Sequence, residues 1–305
     1  MAAPTYEEVL GRTAEADERF VVMTAENRVA IRSLPGRLGP RFIDAGIAEQ
    51  TMVGAAAGLA LRGRRPVVHA LATFLTMRAF EFIRTDIGIP GLPVTLVGGV
   101  PGFLSDGNGP THQALEDVAL MRGIPGMQVF SPADGEDLVA GLPSILASEA
   151  PCYIRYNALP PATPHTSPFT PGRAEVIARG SDVAVLVHGF LLREVVRARP
   201  ALEAEGISAR ILNMRMLAPV DEEAVIRAAD ETSLLVTVED HFLRGGLATI
   251  VAEVLQRSGR TARHLPVALD GRWFTPGLLD DVLANEGFTG PQLARRIADA
   301  FRHTT

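Results

Sequence analysis

Lysine is missing from the sequence altogether: all 29 basic residues are arginine. Genomic codon bias is the plain cause, but the chemical consequence holds regardless. No lysine Schiff base, pyridoxal-phosphate lysine or Walker-type phosphate lysine can be built. Cysteine occurs once, at Cys152. That excludes an intrachain disulfide and a Cys-rich zinc site, and it makes a reducing cytoplasm the expected compartment. Positive charge is not in excess either. The net charge is −6, whereas a nucleic-acid footprint needs basic residues clustered on a positive surface. Long apolar runs are lacking: residues 182–192 form one of the longest, and His188 and Gly189 interrupt it. None reaches the roughly 18 residues of a membrane span. Residues 1–12 are polar and acidic, without the apolar stretch of a signal peptide.

What is present points to an α/β protein. At roughly 150 residues per domain, 305 residues suggest two domains. The 29 glycines and 22 prolines exceed average usage and fit many short connections between strands and helices. Short apolar runs at 20–24, 41–45, 66–70, 92–98, 127–130 and 151–156 read as strands. Between them, 5–19, 51–62, 76–86, 113–121 and 134–147 read as helices, the last with Ser131 or Asp134 as N-cap. Residues 159–172 carry five prolines and no helical or strand period, so they read as a semi-extended linker. The alternation then restarts, with strands at 182–188, 208–213, 234–239 and 264–269, and helices at 191–205, 222–229, 246–257 and 291–301. Such alternation is the signature of parallel sheets. The expected division is a first domain at 1–160, a linker at 161–172 and a second domain at 173–305.

Chemistry-bearing residues gather where strands end. Glu49 sits where a strand gives way to a helix, at the carboxyl edge that binds ligands in such sheets. Its carboxyl suits a ligand nitrogen or general acid/base work, or it is a first-turn glutamate favoured by the helix dipole. Residues 98–111 (GGVPGFLSDGNGPT) form a glycine-rich loop, and His112 follows it. Asp106, Asn108 and Thr111 place donors and acceptors on a backbone able to approach a ligand closely; an exposed loop histidine is the alternative. Phe74 and Met77, beside a helix start, read first as core. His69, His188 and His264, each in an apolar strand, read as structural. Arg155 ends a strand and suits either an anion or a surface or interdomain ion pair. No Gly-x-Gly-x-x-Gly stands at a strand-to-helix turn, and no spacing points to a protein metal site.

Taken in order, several segments resemble one family. Residues 41–63 (RFIDAGIAEQTMVGAAAGLALRG) look like the pyrimidine-binding domain of transketolase-like thiamine-diphosphate enzymes. Residues 109–117 (GPTHQALED) resemble the family's GPTH loop and following helix, and 130–134 (FSPAD) its C-P-A-D turn. Residues 239–248 (EDHFLRGGLA) resemble the Glu-x-His…Gly-Gly-Leu segment of its C-terminal domain. The Gly-Asp-Gly…Asn motif that holds the diphosphate and its Mg²⁺ is missing. The resemblance therefore implies the C-terminal subunit of a split transketolase, a transferase of carbohydrate metabolism. It implies thiamine diphosphate and Mg²⁺ as cofactors, the metal held mainly by an N-terminal partner subunit, and an α₂β₂ assembly. Ketose and aldehyde would be the substrates.

By the same resemblance, Glu49 matches the glutamate that hydrogen-bonds N1′ of the aminopyrimidine. Phe74 matches the aromatic residue packed on that ring, and Met77 falls where some relatives have another aromatic. Glu26 falls near an acidic residue that contacts the cofactor. His112 matches the substrate-side histidine, a candidate proton donor or hydroxyl ligand, and Arg155 matches a phosphate-binding arginine. Two positions depart from the pattern: Asn108 replaces an acidic residue that reads a donor hydroxyl, and Val100 replaces a phosphate-holding histidine. Two rivals stand beside this reading. One is the β subunit of a 2-oxo acid dehydrogenase, which the GPTHQ loop fits less well. The other is a non-catalytic partner-binding paralogue, against which Glu49 and His112 argue.

Overall fold

A computed structural model of the chain describes residues 4–303. The ends of the expected division, residues 1–3 and 304–305, lie outside the described residues. Among the described residues twelve strands fall in chain order: β1 (Phe20–Thr24), β2 (Phe42–Asp44), β3 (Arg65–Leu71), β4 (Thr95–Gly99), β5 (Gln128–Phe130), β6 (Cys152–Arg155), β7 (Glu175–Ala178), β8 (Val183–Val187), β9 (Ala209–Asn213), β10 (Met216–Ala218), β11 (Leu234–Phe242) and β12 (His264–Leu269). They build two sheets, ordered β10-β5-β6-β4-β3-β1-β2 and β12-β11-β8-β9-β7. Pairing is parallel throughout, apart from β10 on β5 and β7 on β9. Strands β1 and β4 are buried along their whole length. That explains their unbroken apolar sequences, since helices cover both faces of a parallel sheet.

In the first sheet β1 lies between β2 and β3, and the chain then continues outward through β4. The strand order thus reverses beside β1, which opens a crevice at the carboxyl ends of β1 and β3, the usual ligand position in such sheets. The Ala-rich helix Glu49–Leu61 lies on β3 and buries Met52, Val53, Ala56, Ala57 and Ala60. Its apolar cluster continues across the domain joint to Leu186, Leu235 and Val251.

Four expectations change in detail. The helix expected at 76–86 is a run of π, α and π turns over Phe74–Arg78, Phe80–Phe82 and Ile83–Gly88. Its wide turns show in Ala79 N–H donating to the carbonyl of Phe74, and Ile89 N–H to that of Arg84. The helix expected from 113 starts at Asp117, because the backbone before it is bonded elsewhere. Ala114 accepts from Gly102 and Leu115 from Phe242. The glycine-rich loop is not shapeless; it winds into 3-10 turns at Gly102–Asn108 and Pro110–His112. Finally, β10 belongs by sequence to the second half yet pairs in the first sheet, Met216 opposite Phe130.

Candidate functional site

The carboxyl edge of the first sheet brings four side chains together. Glu49 opens its helix and is 2% exposed. Its carboxyl pairs with Arg78, Nη1 to Oε2 at 3.0 Å. A buried carboxylate without such a partner would be costly. The Arg78 guanidinium lies 4.2 Å from the centroid of the Phe74 ring, where its flat cation meets the electron-rich face. The π turn places residue i+4 almost above residue i, which stacks Arg78 on Phe74. The His112 and Phe74 rings meet in a T-shaped arrangement, their centroids 5.0 Å apart. Thr73 fastens the group by donating to the Thr111 carbonyl at 3.5 Å, and it also reaches the Met77 sulfur at 3.8 Å. Half-buried His112 is turned by its neighbour, Thr111 Oγ1 lying 3.0 Å from Nδ1.

Backbone strain marks the same edge. The non-glycine residues with positive φ among the described residues are Glu26 (56°), Val100 (48°) and Asp106 (35°). Each follows β1 or β4. Such conformations cost on the order of 1–3 kcal/mol each and collect at functional sites. Glu26 is exposed, and its N–H donates to Asp44; it stands outside the contacts that join Glu49, Arg78, Phe74 and His112. Asn108 is exposed on the loop, its amide donating to Ser105 at 2.8 Å. Gly102 (φ 56°) abuts Asp240 so closely that a Cβ there would collide with it.

Arg155 is placed differently from the expectation of a phosphate ligand. It is 2% exposed, and its Nε and Nη1 lie 2.8 Å from Asp117 and Asp240. Burial alone would lower its pKa, but the two carboxylates outweigh that and hold it charged, above the ordinary arginine value. Its guanidinium is an interdomain bolt, with no open face for a substrate anion. The Glu239–Ala248 segment serves the same joint. Glu239 accepts from Leu247 and Ala248 N–H at 2.6 and 2.9 Å and so caps the helix Leu247–Arg257. Gly246 leaves room for that carboxyl. His241, fully buried, is pushed down to about 4 by desolvation.

Sequence reading missed Arg78; its signal was an arginine four residues after Phe74. Asp137, His165 and Glu175 form a metal-capable grouping at the domain joint, but cations of the chain already fill it. Arg215 lies 2.7 Å from Asp137 and 2.8 Å from Glu175. The His165 ring bridges Asp134 and Glu175 at 2.8 and 2.7 Å.

Two domains built on mainly parallel sheets, with a buried glutamate, an aromatic face and a histidine loop gathered at one carboxyl edge, define a two-domain α/β protein with a candidate ligand site at a reversal of strand order. Residues 3–159 match the family "Transketolase, pyrimidine binding domain" and residues 172–292 match "Transketolase, C-terminal domain". The chain belongs to the transketolase family, carrying these two domains. It is 38% identical over 255 residues to the 6-deoxy-6-sulfo-D-fructose transketolase subunit SqwH of Clostridium sp. (strain MSTE9), covering 82% of this chain and 79% of that one. It is 33% identical to a 1-deoxy-D-xylulose-5-phosphate synthase of Synechococcus sp. (strain JA-2-3B'a(2-13)), covering 98% of this chain but 48% of the synthase. The chain thus spans about half the length of such synthases. Among solved structures, "Split gene transketolase, inactive beta4 tetramer" superposes with a TM-score of 0.88 at 33% identity, over 98% of both chains. Among the described residues no helix is long and apolar enough to cross a membrane.

Proposed function

We propose that this chain is the C-terminal subunit of a split transketolase and works with a partner subunit carrying the diphosphate and Mg²⁺ site, in an α₂β₂ assembly. Together they move a two-carbon ketol unit from a ketose to an aldehyde. The observation that carries this reading is the buried Glu49 carboxyl beside the Phe74 ring. The fit to an aminopyrimidine is testable on this geometry. A flat, N–H-bearing guanidinium already bridges the carboxyl and the ring face, at 3.0 and 4.2 Å, which supports reading the seat as one for a planar nitrogen heterocycle.

Thiamine diphosphate, when bound, supplies the electron sink for breaking a carbon–carbon bond beside a carbonyl. The chain's own residues do the rest. Glu49 would meet the ring nitrogen N1′, its carboxyl sharing one proton with that nitrogen and so setting which nitrogen of the ring is protonated. Phe74 and Met77 would hold the ring from the side, and Glu26, exposed beyond the end of β1, would add an acidic group toward the cofactor. His112 offers a ring nitrogen to a substrate hydroxyl, as acceptor or proton donor, and the Asn108 amide offers a second contact. With Arg155 enclosed and Val100 apolar, this chain reads hydroxyls; an anionic end of a sugar falls to cations of the partner.

The test is reconstitution with the partner in the presence of thiamine diphosphate and Mg²⁺. Turnover of ketose donors supports the proposal. Turnover of 2-oxo acids in their place identifies the dehydrogenase β subunit instead. A complex that forms without binding the cofactor identifies a non-catalytic paralogue.

A further inference from the structure

Arg78 sits where the proposed cofactor must go. We propose that its guanidinium is a placeholder: in the unloaded chain it occupies the pyrimidine seat between Glu49 and Phe74, and cofactor binding requires its displacement. The inference rests on the reading of Glu49 and Phe74 as the pyrimidine seat, and it adds a competitor built into the fold.

Three observations carry it. The guanidinium makes both contacts the ring would need, 3.0 Å to the Glu49 carboxyl and 4.2 Å to the Phe74 centroid. Two planar groups cannot share one face of one phenyl ring at that distance. Glu49 has a reason to keep Arg78, because its side chain is 3% exposed and a buried carboxylate needs a compensating cation. Arg78 also has somewhere to go, since its own side chain is 43% exposed. Swinging it into solvent returns it to water at small cost, and an incoming ring nitrogen takes over the carboxyl, the two sharing one proton taken up from solvent in place of the departing cation.

A seat that is occupied most of the time weakens apparent affinity by the fraction left free. Arg78 therefore lowers cofactor affinity in the isolated chain, and a partner that brings its own contacts to the diphosphate overcomes the loss.

The experiment is calorimetric titration of the full chain with 4-amino-5-hydroxymethyl-2-methylpyrimidine, the pyrimidine half of the cofactor, and separately with thiamine diphosphate plus Mg²⁺. Arg78→Ala and Arg78→Gln are compared with the unaltered chain, and circular dichroism checks that each variant is folded. The expected result is binding about tenfold tighter in Arg78→Ala, corresponding to a seat filled about nine-tenths of the time, with Arg78→Gln in between. Equal or weaker binding in Arg78→Ala overturns the placeholder. Adding Glu49→Gln or Phe74→Ala to Arg78→Ala separates the two claims. If either addition abolishes the binding while Arg78→Ala gives no gain, the seat is right and the placeholder wrong. If neither addition weakens binding, the seat itself is wrong and the placeholder falls with it.

Discussion

Arg155 in β6 and Asp240 in β11 lie 2.8 Å apart across the joint between the two sheets, both buried. Asp117 takes the other side of the same guanidinium, and Tyr153 donates to that Asp117 carboxylate at 2.7 Å. Removing one member of such a group leaves an uncompensated buried charge. Asp240→Ala should destabilise the chain by about 3 kcal/mol or more, the usual cost of breaking a buried pair. Arg155→Met should cost at least as much, because two carboxylates lose their cation together. Urea unfolding followed by circular dichroism measures both. A loss below about 1 kcal/mol, typical of exposed pairs, would show that the joint is open to water.

Glu49→Gln should separate chemistry from folding. The amide keeps the shape and still meets Arg78, so the melting temperature should move little. In the reconstituted enzyme the turnover number should fall by about 10²-fold or more, the range associated with losing a positioned acid or base. Exchange of the cofactor C2 proton, followed by NMR, is the direct readout. Exchange at the unaltered rate would remove Glu49 from its proposed role.

The sequence made the site's components visible but not their mutual distances. The Ala-rich helix after Glu49 and the loop before His112 were readable because glycine, alanine and strand-to-helix transitions leave local patterns. Arg155 was open to two readings because its fate is decided by Asp117 and Asp240, which lie 38 and 85 residues away in the chain. Whether such an arginine faces substrate or is closed off by carboxylates has no local signature. The π turns at Phe74–Arg78 are hidden for another reason, since α and π turns draw on the same residue types. Only that wider turn reveals why Arg78, unremarked in the sequence, reaches Glu49. Likewise β10 is three residues long and owes its strand to Phe130, far off in the chain.

Val100 should carry measurable strain. It is β-branched with φ 48°, at the end of β4, a region in which such residues are outliers. Val100→Gly should relieve most of the roughly 1–3 kcal/mol of strain and give back roughly 0.5–1 kcal/mol through chain entropy. The expected net gain is about 1 kcal/mol, read as a rise in the urea midpoint at unchanged slope. If instead the variant loses stability, packing of the valine side chain outweighs its backbone, and the strain is not a reservoir for this loop.

The His165 bridge gives a pH dependence with a definite sign. Burial would lower its pKa, but the hydrogen bonds its ring donates to Asp134 and Glu175 raise it from 6.5 to about 10. Between those values the folded chain binds a proton that the unfolded chain does not, so stability falls as pH rises. The contribution is complete below 6.5 and is lost as pH climbs through about 10. Glu239, pushed by burial from 4.5 to about 8, acts with the same sign over its own window, and the buried Cys152 thiol, pushed up from 9.0 by desolvation, adds to the decline near the top of the range, so the histidine is isolated by the difference between two proteins compared from pH 8 to 10. Lysine, which would titrate there, does not occur in this chain. Urea midpoints measured across that range should decline for the unaltered protein. They should decline distinctly less for His165→Gln, which keeps a polar side chain but cannot become charged. Parallel declines in the two proteins would mean that the imidazole is not holding Asp134 to Glu175 as a cation.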